Sequence, residues 1–214
     1  KYKRCCGRRD QVESRQLNVA RQASLIAGES LFTFFNTRFA PRRRMAAWAL
    51  FPLGDPAVLP DNHDMQVFAP WAMFHWQDGH EGPAARMWLD ESPEARDPDL
   101  ADFVRAALGE PFSFFEVVDV VPGRGLRVRD LLCPREMFMQ EVSASRTVRR
   151  WHILTAKAIP YRGFWFFEGL APTPLPPDCR DKIVASVLKR LGLAGDRPLE
   201  PEQLLDHSMD VLNV

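Results

Sequence analysis

Residues 112–132, FSFFEVVDVVPGRGLRVRDLL, mark the point at which the chain changes from helical to strand-like sequence. Phe112 to Val121 is rich in aromatic and β-branched residues, and Leu126 to Asp130 alternates apolar and charged side chains with the period of two that a strand requires. Residues 122–125, PGRG, form a turn sequence between them. The stretch therefore predicts a β-hairpin.

Three more strand-like segments follow the hairpin: Met137 to Val142, Trp151 to Ile159 and Gly163 to Glu168. Five short strands at intervals of about ten residues predict a small antiparallel β module, partly curled. The proline-rich residues 172–177 end this module. A helical pattern of apolar residues then runs from Arg180 to Leu191, and residues 201–214 predict one more helix.

The residues before the hairpin have helical patterns instead. Asp10 to Arg38 lacks proline and repeats apolar residues with a helical period, so it predicts a long amphipathic helix in which Gly28 marks a candidate break. Met45 to Phe51 and Asp99 to Leu108 predict shorter helices. An acidic loop is expected before the second of these.

An aromatic block lies between these helices, from Met65 to Trp76. Pro70 lies inside it and argues against an uninterrupted helix, because proline removes one backbone donor and clashes with the preceding turn. The whole chain has 15 Phe and 6 Trp but only 2 Tyr among its 214 residues. This balance favours burial of aromatic side chains over polar recognition.

Composition excludes two classes of protein. No apolar run approaches the roughly 20 uncharged residues of a membrane-spanning helix, so no membrane span is predicted. The four cysteines, Cys5, Cys6, Cys133 and Cys179, are too few and too irregularly spaced for a secreted disulfide framework. A cytoplasmic location is therefore expected.

The formal net charge of zero conceals a division along the chain. Residues 1–44 hold eleven Lys or Arg and three acids, whereas residues 45–110 hold three Arg and twelve acids. The basic segment either binds an anionic partner or forms a solvated helix face that neutralises the acidic segment.

The first seven residues, KYKRCCG, resemble the second half of the SEC-C motif, a metal-binding knuckle named for the carboxyl-terminal tail of the SecA translocation ATPase. The full motif reads Cys-x-Cys, eight residues, then Cys-Cys or Cys-His. The block with Phe68, Pro70 and Trp71 and residues 115–132 are also similar to bacterial proteins of uncharacterised function that carry this motif. The resemblance implies that Cys5 and Cys6 are zinc ligands, completed by an upstream Cys-x-Cys pair that is missing here.

The resemblance also implies partners. The tail of SecA contacts the chaperone SecB and acidic phospholipid, and SEC-C tails have been linked with ribosomes. We therefore expect a non-enzymatic accessory or adaptor protein that docks on a ribosome, a chaperone or another protein. The expected contact residues are Lys1, Lys3, Arg4, Arg8 and Arg9, and nucleic acid is an alternative partner for the same basic segment.

These patterns predict an α+β fold with a helical N-terminal half, a small antiparallel β module and closing helices. The expected divisions are residues 1–9, the remnant of the SEC-C knuckle; residues 10–110, the helical aromatic-rich region; and residues 111–214, the β module with C-terminal helices.

Two other classes of function stay open. Asp61, His63, Asp64 and His75 combine carboxylates and imidazoles, as the site of a metal-dependent hydrolase does, although turn capping also explains the first three. A regulator that binds a protein or ligand through an exposed apolar surface of the β module is the other class. Six arginines around this module form either a basic patch or the polar faces of strands: Arg124, Arg127, Arg129, Arg146, Arg149 and Arg150.

Overall fold

The computed structural model describes residues 2–55, 57–77, 79, 82–193 and 198–214, with side chains described from residue 11 onward. The helices are α1 (Tyr2–Arg38), α2 (Pro41–Leu50), α3 (Asn62–Phe74), α4 (Ala84–Glu91), α5 (Pro98–Leu108), α6 (Arg180–Arg190), α7 (Pro201–Leu205) and α8 (Ser208–Leu212). The strands are β1 (Phe112–Val121), β2 (Gly125–Asp130), β3 (Glu136–Met139), β4 (Ile153–Tyr161) and β5 (Phe164–Glu168). The predicted α+β class and the central hairpin are confirmed.

The five strands form a closed barrel in the order β1-β2-β3-β5-β4, and β4 pairs with β1 to close it. All pairs are antiparallel except β3 with β5, which meet in parallel at Met139 and Trp165. A bulge between Val117 and Asp119 bends β1 where it changes partner. A closed five-stranded barrel of this kind does not by itself specify a function.

Strands β1 and β4 are apolar on both faces. One face fills the barrel interior, with Phe115, Val117, Leu154 and Ala156 in a cluster that also contains Met139. The opposite face belongs to a second core that the barrel shares with the helices, whose members from the strands include Phe112, Phe114, Ile153, Ile159 and Tyr161. The helices therefore cover the outside of the barrel as well as one another.

Aromatic side chains hold the helical layer together. The indole N–H of Trp88 in α4 donates to the Ser30 hydroxyl of α1 at 3.0 Å. The indole N–H of Trp48 in α2 donates to the carbonyls of Asp55 and Val58, at 3.0 and 2.8 Å. These bonds satisfy buried donors and so fix the loop after α2 against the core.

Helix α3 is continuous through Pro70, which corrects the expectation of a break. The helix persists because every residue from Val67 to Phe74 is buried, and this packing offsets the lost backbone bond. Pro70 also lies against the end of β5: a Cβ added at Gly169, whose φ is +67°, would lie 2.8 Å from the Phe112 ring and 3.3 Å from Pro70. Glycine at position 169 thus permits the close contact between α3 and the barrel.

Three other expectations differ from the structure. Helix α1 passes through Gly28 without a break, because Ala27 and Leu31 beside it are fully buried and hold the helix in place. Helix α4 occupies part of the predicted acidic loop. The predicted helix at residues 201–214 is two short helices, α7 and α8. In the described part of the chain, no helix has the length and apolarity needed to cross a bilayer.

Residues 11–16 of α1 lie outside the body of the protein. All six of these residues are exposed, although they cover every side of the helix. Contact with the body begins at the half-buried Leu17, which packs against the core, and it continues through the buried residues Ala20, Ala27, Leu31 and Phe35. We call residues 2–16 the α1 arm.

Ser14→Pro in the α1 arm should leave the stability of the body unchanged, because residue 14 is exposed and the arm ends before the first buried position. Leu31→Ala in the buried part of α1 should lower the free energy of unfolding by about 2–5 kcal/mol through the cavity that it leaves. Urea denaturation followed by tryptophan fluorescence measures both. A loss of global stability in Ser14→Pro similar to that in Leu31→Ala would contradict an independent arm.

Candidate functional site

The predicted metal ligands and partner contacts lie in the first turns of α1. The backbone of Lys3, Arg4, Cys5 and Cys6 is helical, as is that of Arg8 and Arg9. Their side chains, and Lys1 entirely, lie outside the described residues. The zinc ligation and the docking contacts therefore stay predictions, placed at the outer end of the α1 arm.

The predicted hydrolase residues do not converge. The Asp61 carboxylate accepts hydrogen bonds from the backbone N–H groups of His63 and Asp64 at 2.6 and 2.9 Å, and the Asp64 carboxylate accepts from the Asp61 N–H at 3.0 Å. This is a reciprocal capping box at the start of α3. The same backbone donors lower the pKa of Asp61. His75 caps the other end of α3, about 20 Å along the helix axis.

Other ligand-type residues are also dispersed. Where the chain is described, no group of three or more His, Cys, Asp or Glu side chains is arranged to hold a metal ion. Cys133 and Cys179 are unpaired thiols, one buried and one half-buried. Burial raises the pKa of the Cys133 thiol to about 12, which makes it a poor nucleophile near neutral pH.

The structure brings together a buried polar group that the sequence analysis did not predict. Lys157 lies in β4 on the outer face of the barrel and has no exposed surface. Its Nζ is 2.8 Å from Nε2 of His75 and lies 4.6 Å from the centre of the Phe74 ring. Glu168 in β5 is its partner in the sheet register. The sequence signal that could have identified Lys157 is its position as the one charged residue within the otherwise uncharged β4 sequence ILTAKAIPY.

The pKa values of these groups are shifted strongly by their surroundings. Burial lowers the pKa of Lys157 to about 7, against the opposing influence of the carboxylates Glu168 and Glu110. Burial also raises the pKa of Glu168 to about 7, while Lys157 opposes that shift. The pKa of His75 is lowered well below its ordinary value, first by burial and then by the nearby Lys157 charge. His75 is therefore neutral near pH 7 and accepts a hydrogen bond from Lys157.

A second buried group of charged residues includes Glu110, one of the carboxylates that act on Lys157. The Arg135 guanidinium bonds the Glu110 carboxylate at 2.6 Å and the Asp130 carboxylate at 3.1 Å. Asp130 also accepts from the Ser113 hydroxyl at 2.5 Å and from the N–H groups of Leu132 and Cys133. Each carboxylate is thus paired, and the network anchors the β2–β3 connection to β1.

A cavity of about 810 Å³ lies beside His75. Its walls include Trp71, Trp76, Arg86, Leu205 and Asp206. The indole N–H of Trp71 is buried and has no hydrogen-bond partner among the described residues. Lys157 does not line this cavity, so a molecule inside it meets the His75 ring rather than the lysine amine. The arrangement therefore presents no accessible amine nucleophile to the cavity.

The six arginines around the β module divide into two kinds. Arg127 lies 3.8 Å from Glu136, and Arg129 lies 3.6 Å from both Glu116 and Glu136, so these two belong to the ion-paired outer face of β1, β2 and β3. The other four, Arg124, Arg146, Arg149 and Arg150, are exposed on connecting segments. The sequence allowed these arginines to be either the polar faces of strands or a basic patch. Arg127 and Arg129 belong to the polar faces of strands, and the other four are exposed on the connecting segments.

Comparisons with protein-family models, with curated proteins and with solved structures find no match for this chain. The SEC-C resemblance of residues 1–7 therefore stays a prediction. Arguments about function depend on the geometry described above.

Replacing Lys157 with Met and Glu168 with Gln together should stabilise the protein most near pH 7. The lowered pKa of Lys157 means that the folded chain binds fewer protons than the unfolded chain between about pH 7 and 10.5, so its contribution to the free energy of unfolding rises with pH there. The raised pKa of Glu168 makes its contribution fall between pH 4.5 and about 7. The wild-type pair is therefore least favourable near pH 7.

The expected gain of the double variant at that pH is roughly 1–4 kcal/mol. Urea denaturation of both proteins at about pH 5, 7 and 9 gives the difference at each pH. A difference that does not change with pH would show that these two groups do not titrate with the shifted values.

Proposed function

We propose that the protein is a non-enzymatic accessory or adaptor protein that docks on a macromolecular partner through the outer end of the α1 arm. The observation that supports this proposal is the exposure of residues 11–16 on every side of the helix. An isolated helix of this length is marginally stable in water, and this segment gains no packing energy from the body. A partner that covers the arm supplies the packing that the chain itself does not.

The charge of the arm suggests the chemistry of the partner. Lys1, Lys3, Arg4, Arg8 and Arg9 lie within nine residues of one another, with no acid among those nine. Such a segment is attracted to a negatively charged surface, such as ribosomal RNA or an acidic face of a chaperone. We take the ribosome as the first partner to test.

Zinc is the metal that fits the cysteines of the arm. Thiolates are soft ligands that zinc accepts in tetrahedral sites of four ligands. Cys5 and Cys6 supply two of the four, and the resemblance implies that an upstream Cys-x-Cys pair supplies the other two. Bound zinc would hold the outer end of the arm in one shape for docking.

Glu substitution of Lys3, Arg4, Arg8 and Arg9 together should abolish cosedimentation with purified ribosomes at low salt, because it reverses the charge of the docking segment. The matched control places Glu at four exposed basic residues elsewhere: Arg42, Arg105, Lys182 and Lys189. The control should cosediment as the wild type does. Equal loss in both proteins, or no cosedimentation of the wild type, would contradict docking through the arm.

In a chain that carries an upstream Cys-x-Cys pair, Cys5→Ser with Cys6→Ser should remove the bound zinc, whereas Cys179→Ser should keep it. Elemental analysis by mass spectrometry gives the zinc content per chain in each case. Zinc retained by the double variant would show that these thiols are not ligands. Absence of zinc from the chain that carries all four cysteines of the motif would withdraw the SEC-C assignment, while the docking test would stay independent.

A further inference from the structure

One end of the barrel carries an uncompensated basic surface, which we call the basic rim. It consists of the exposed residues Arg124, Arg146, Arg149, Arg150 and Trp151. Two contacts bring its segments together. The backbone N–H of Gly123 donates to the Ser145 hydroxyl at 3.0 Å, and the N–H of Trp151 donates to the Val117 carbonyl at 2.7 Å. The β1–β2 turn and residues 145–151 thus lie along the second half of β1.

The arginines of the basic rim have no carboxylate partner. Within the described residues, no carboxylate oxygen lies within 4.0 Å of the Arg124, Arg146 or Arg149 guanidinium, nor of that of Arg150. The nearby Glu141 carboxylate accepts the backbone N–H groups of Ser143 and Ala144 instead. The exposed Asp119 pairs in register with Arg127 of β2. The rim therefore keeps excess positive charge, unlike the ion-paired face of the barrel beside it.

Trp151 has a backbone conformation that its side chain does not favour. The His152 N–H donates to the Arg149 carbonyl at 3.2 Å, which makes Trp151 the third residue of a tight turn. Its φ is +74°, as in a type II turn, where glycine or asparagine normally occupies this position. A bulky residue at positive φ is strained, and strain of this kind is concentrated at functional sites.

The Trp151 ring is also placed to contact a ligand. The residue is 44 % exposed, although tryptophan is highly buried on average. The Arg150 guanidinium lies 4.4 Å from its ring centre and supports the ring from one side. An exposed aromatic ring that is supported on one side by an arginine can stack a planar base, while neighbouring arginines contact the adjoining phosphates.

We propose that the basic rim binds single-stranded nucleic acid, with one base stacked on Trp151 and the neighbouring phosphates on the four arginines. A single strand is favoured over a duplex because its bases can leave their neighbours and offer a face to the ring. An acidic protein segment would satisfy the arginines but would leave the strained, exposed tryptophan without a role. This site is separate from the α1 arm and does not depend on the proposed docking function.

The test is the binding of a fluorescein-labelled oligouridine of about 20 nucleotides, measured by fluorescence anisotropy between about 50 and 200 mM salt. Gln at Arg146, Arg149 and Arg150 should weaken binding at least about tenfold at the lowest salt. It should also reduce the slope of log affinity against log salt by about 2, since each phosphate contact with a single strand contributes about 0.7.

A matched control has Gln at Arg105, Lys182 and Lys189, which removes the same charge from exposed positions on α5 and α6. This protein should bind as the wild type does. The residues before position 10 are identical in all proteins compared, so any binding by the α1 arm is common to them. Equal weakening in the rim variant and the control would overturn the proposal, because it would reveal only non-specific attraction.

Trp151→Gly separates the binding role of the tryptophan from a structural role. Glycine adopts the positive φ without strain, so the melting temperature of this variant should not fall. Its affinity for the oligouridine should decrease by about five- to a hundredfold, the range expected for the loss of one stacked base. Trp151→Phe keeps an aromatic ring and should retain most of the affinity.

Two further outcomes would overturn the proposal. One is the absence of oligouridine binding by the wild type at the lowest salt. The other is a pair of results: polyaspartate competes as effectively as unlabelled oligouridine, and Trp151→Gly binds the labelled oligouridine as tightly as the wild type does. Together these results would identify the rim as a surface for acidic proteins. Weaker competition by polyaspartate and by a duplex of the same length supports single-strand recognition.

Discussion

The structure depends on strands β1 and β4 having two apolar faces each. One face closes the interior of the barrel, and the other, which includes Phe112 and Ile159, needs a cover of its own. Burial of that second face is the main favourable contribution available to join the halves of the chain, since apolar area removed from water stabilises in proportion to its size. Helices α3, α5 and α8 supply the cover. The barrel and the helical layer therefore share one core, although residues 10–110 have helical sequence patterns and residues 111–214 begin with strand-like ones.

The same buried layer contains charged groups, and these groups differ in whether they have a partner of opposite charge at hydrogen-bond distance. Arg135 has two carboxylate partners at hydrogen-bond distance, so its charge is retained. Lys157 has no exposed surface, and its nearest polar contact is the neutral His75. Burial shifts the pKa of Lys157 and Glu168 towards each other, which is the usual response of ionisable groups in a low-dielectric environment. A hydrogen bond between residues 75 and 157 ties the end of α3 to the centre of β4, and it gives the interface a geometry that apolar packing alone would not specify.

The two surfaces proposed to bind partners are surfaces that the core does not use. The α1 arm continues past the last position at which the helix meets the body, and the basic rim lies on connections between strands. The rim is carried by the closed barrel, whereas the arm is a helix without packing from the body. The outer face of β2, by contrast, is neutralised by its own ion pairs, so charge on a strand and charge on a loop have different consequences here. The net charge of the chain is zero and indicates no charged binding surface. The exposed charged side chains without an internal partner do indicate where such a surface could lie.

Local patterns determined much of the secondary structure. The period of two in residues 126–130 and the turn at 122–125 predicted the hairpin, and the capping of α3 by Asp61 follows from the preference of short polar side chains for helix starts. Packing decided what the patterns left open. Pro70 and Gly28 did not interrupt their helices, because burial of the neighbouring residues outweighs a local penalty of at most a few kcal/mol. The pairing of Lys157 with His75 and the separation of His75 from Asp61 required the tertiary structure, since contacts between residues distant in sequence depend on how the elements meet. The sequence by itself determined the α+β class, most of the helices and the central hairpin, because these follow from local patterns. Only the tertiary structure decided which charges are buried, which are paired and which remain exposed, because these properties depend on what lies opposite each side chain in space.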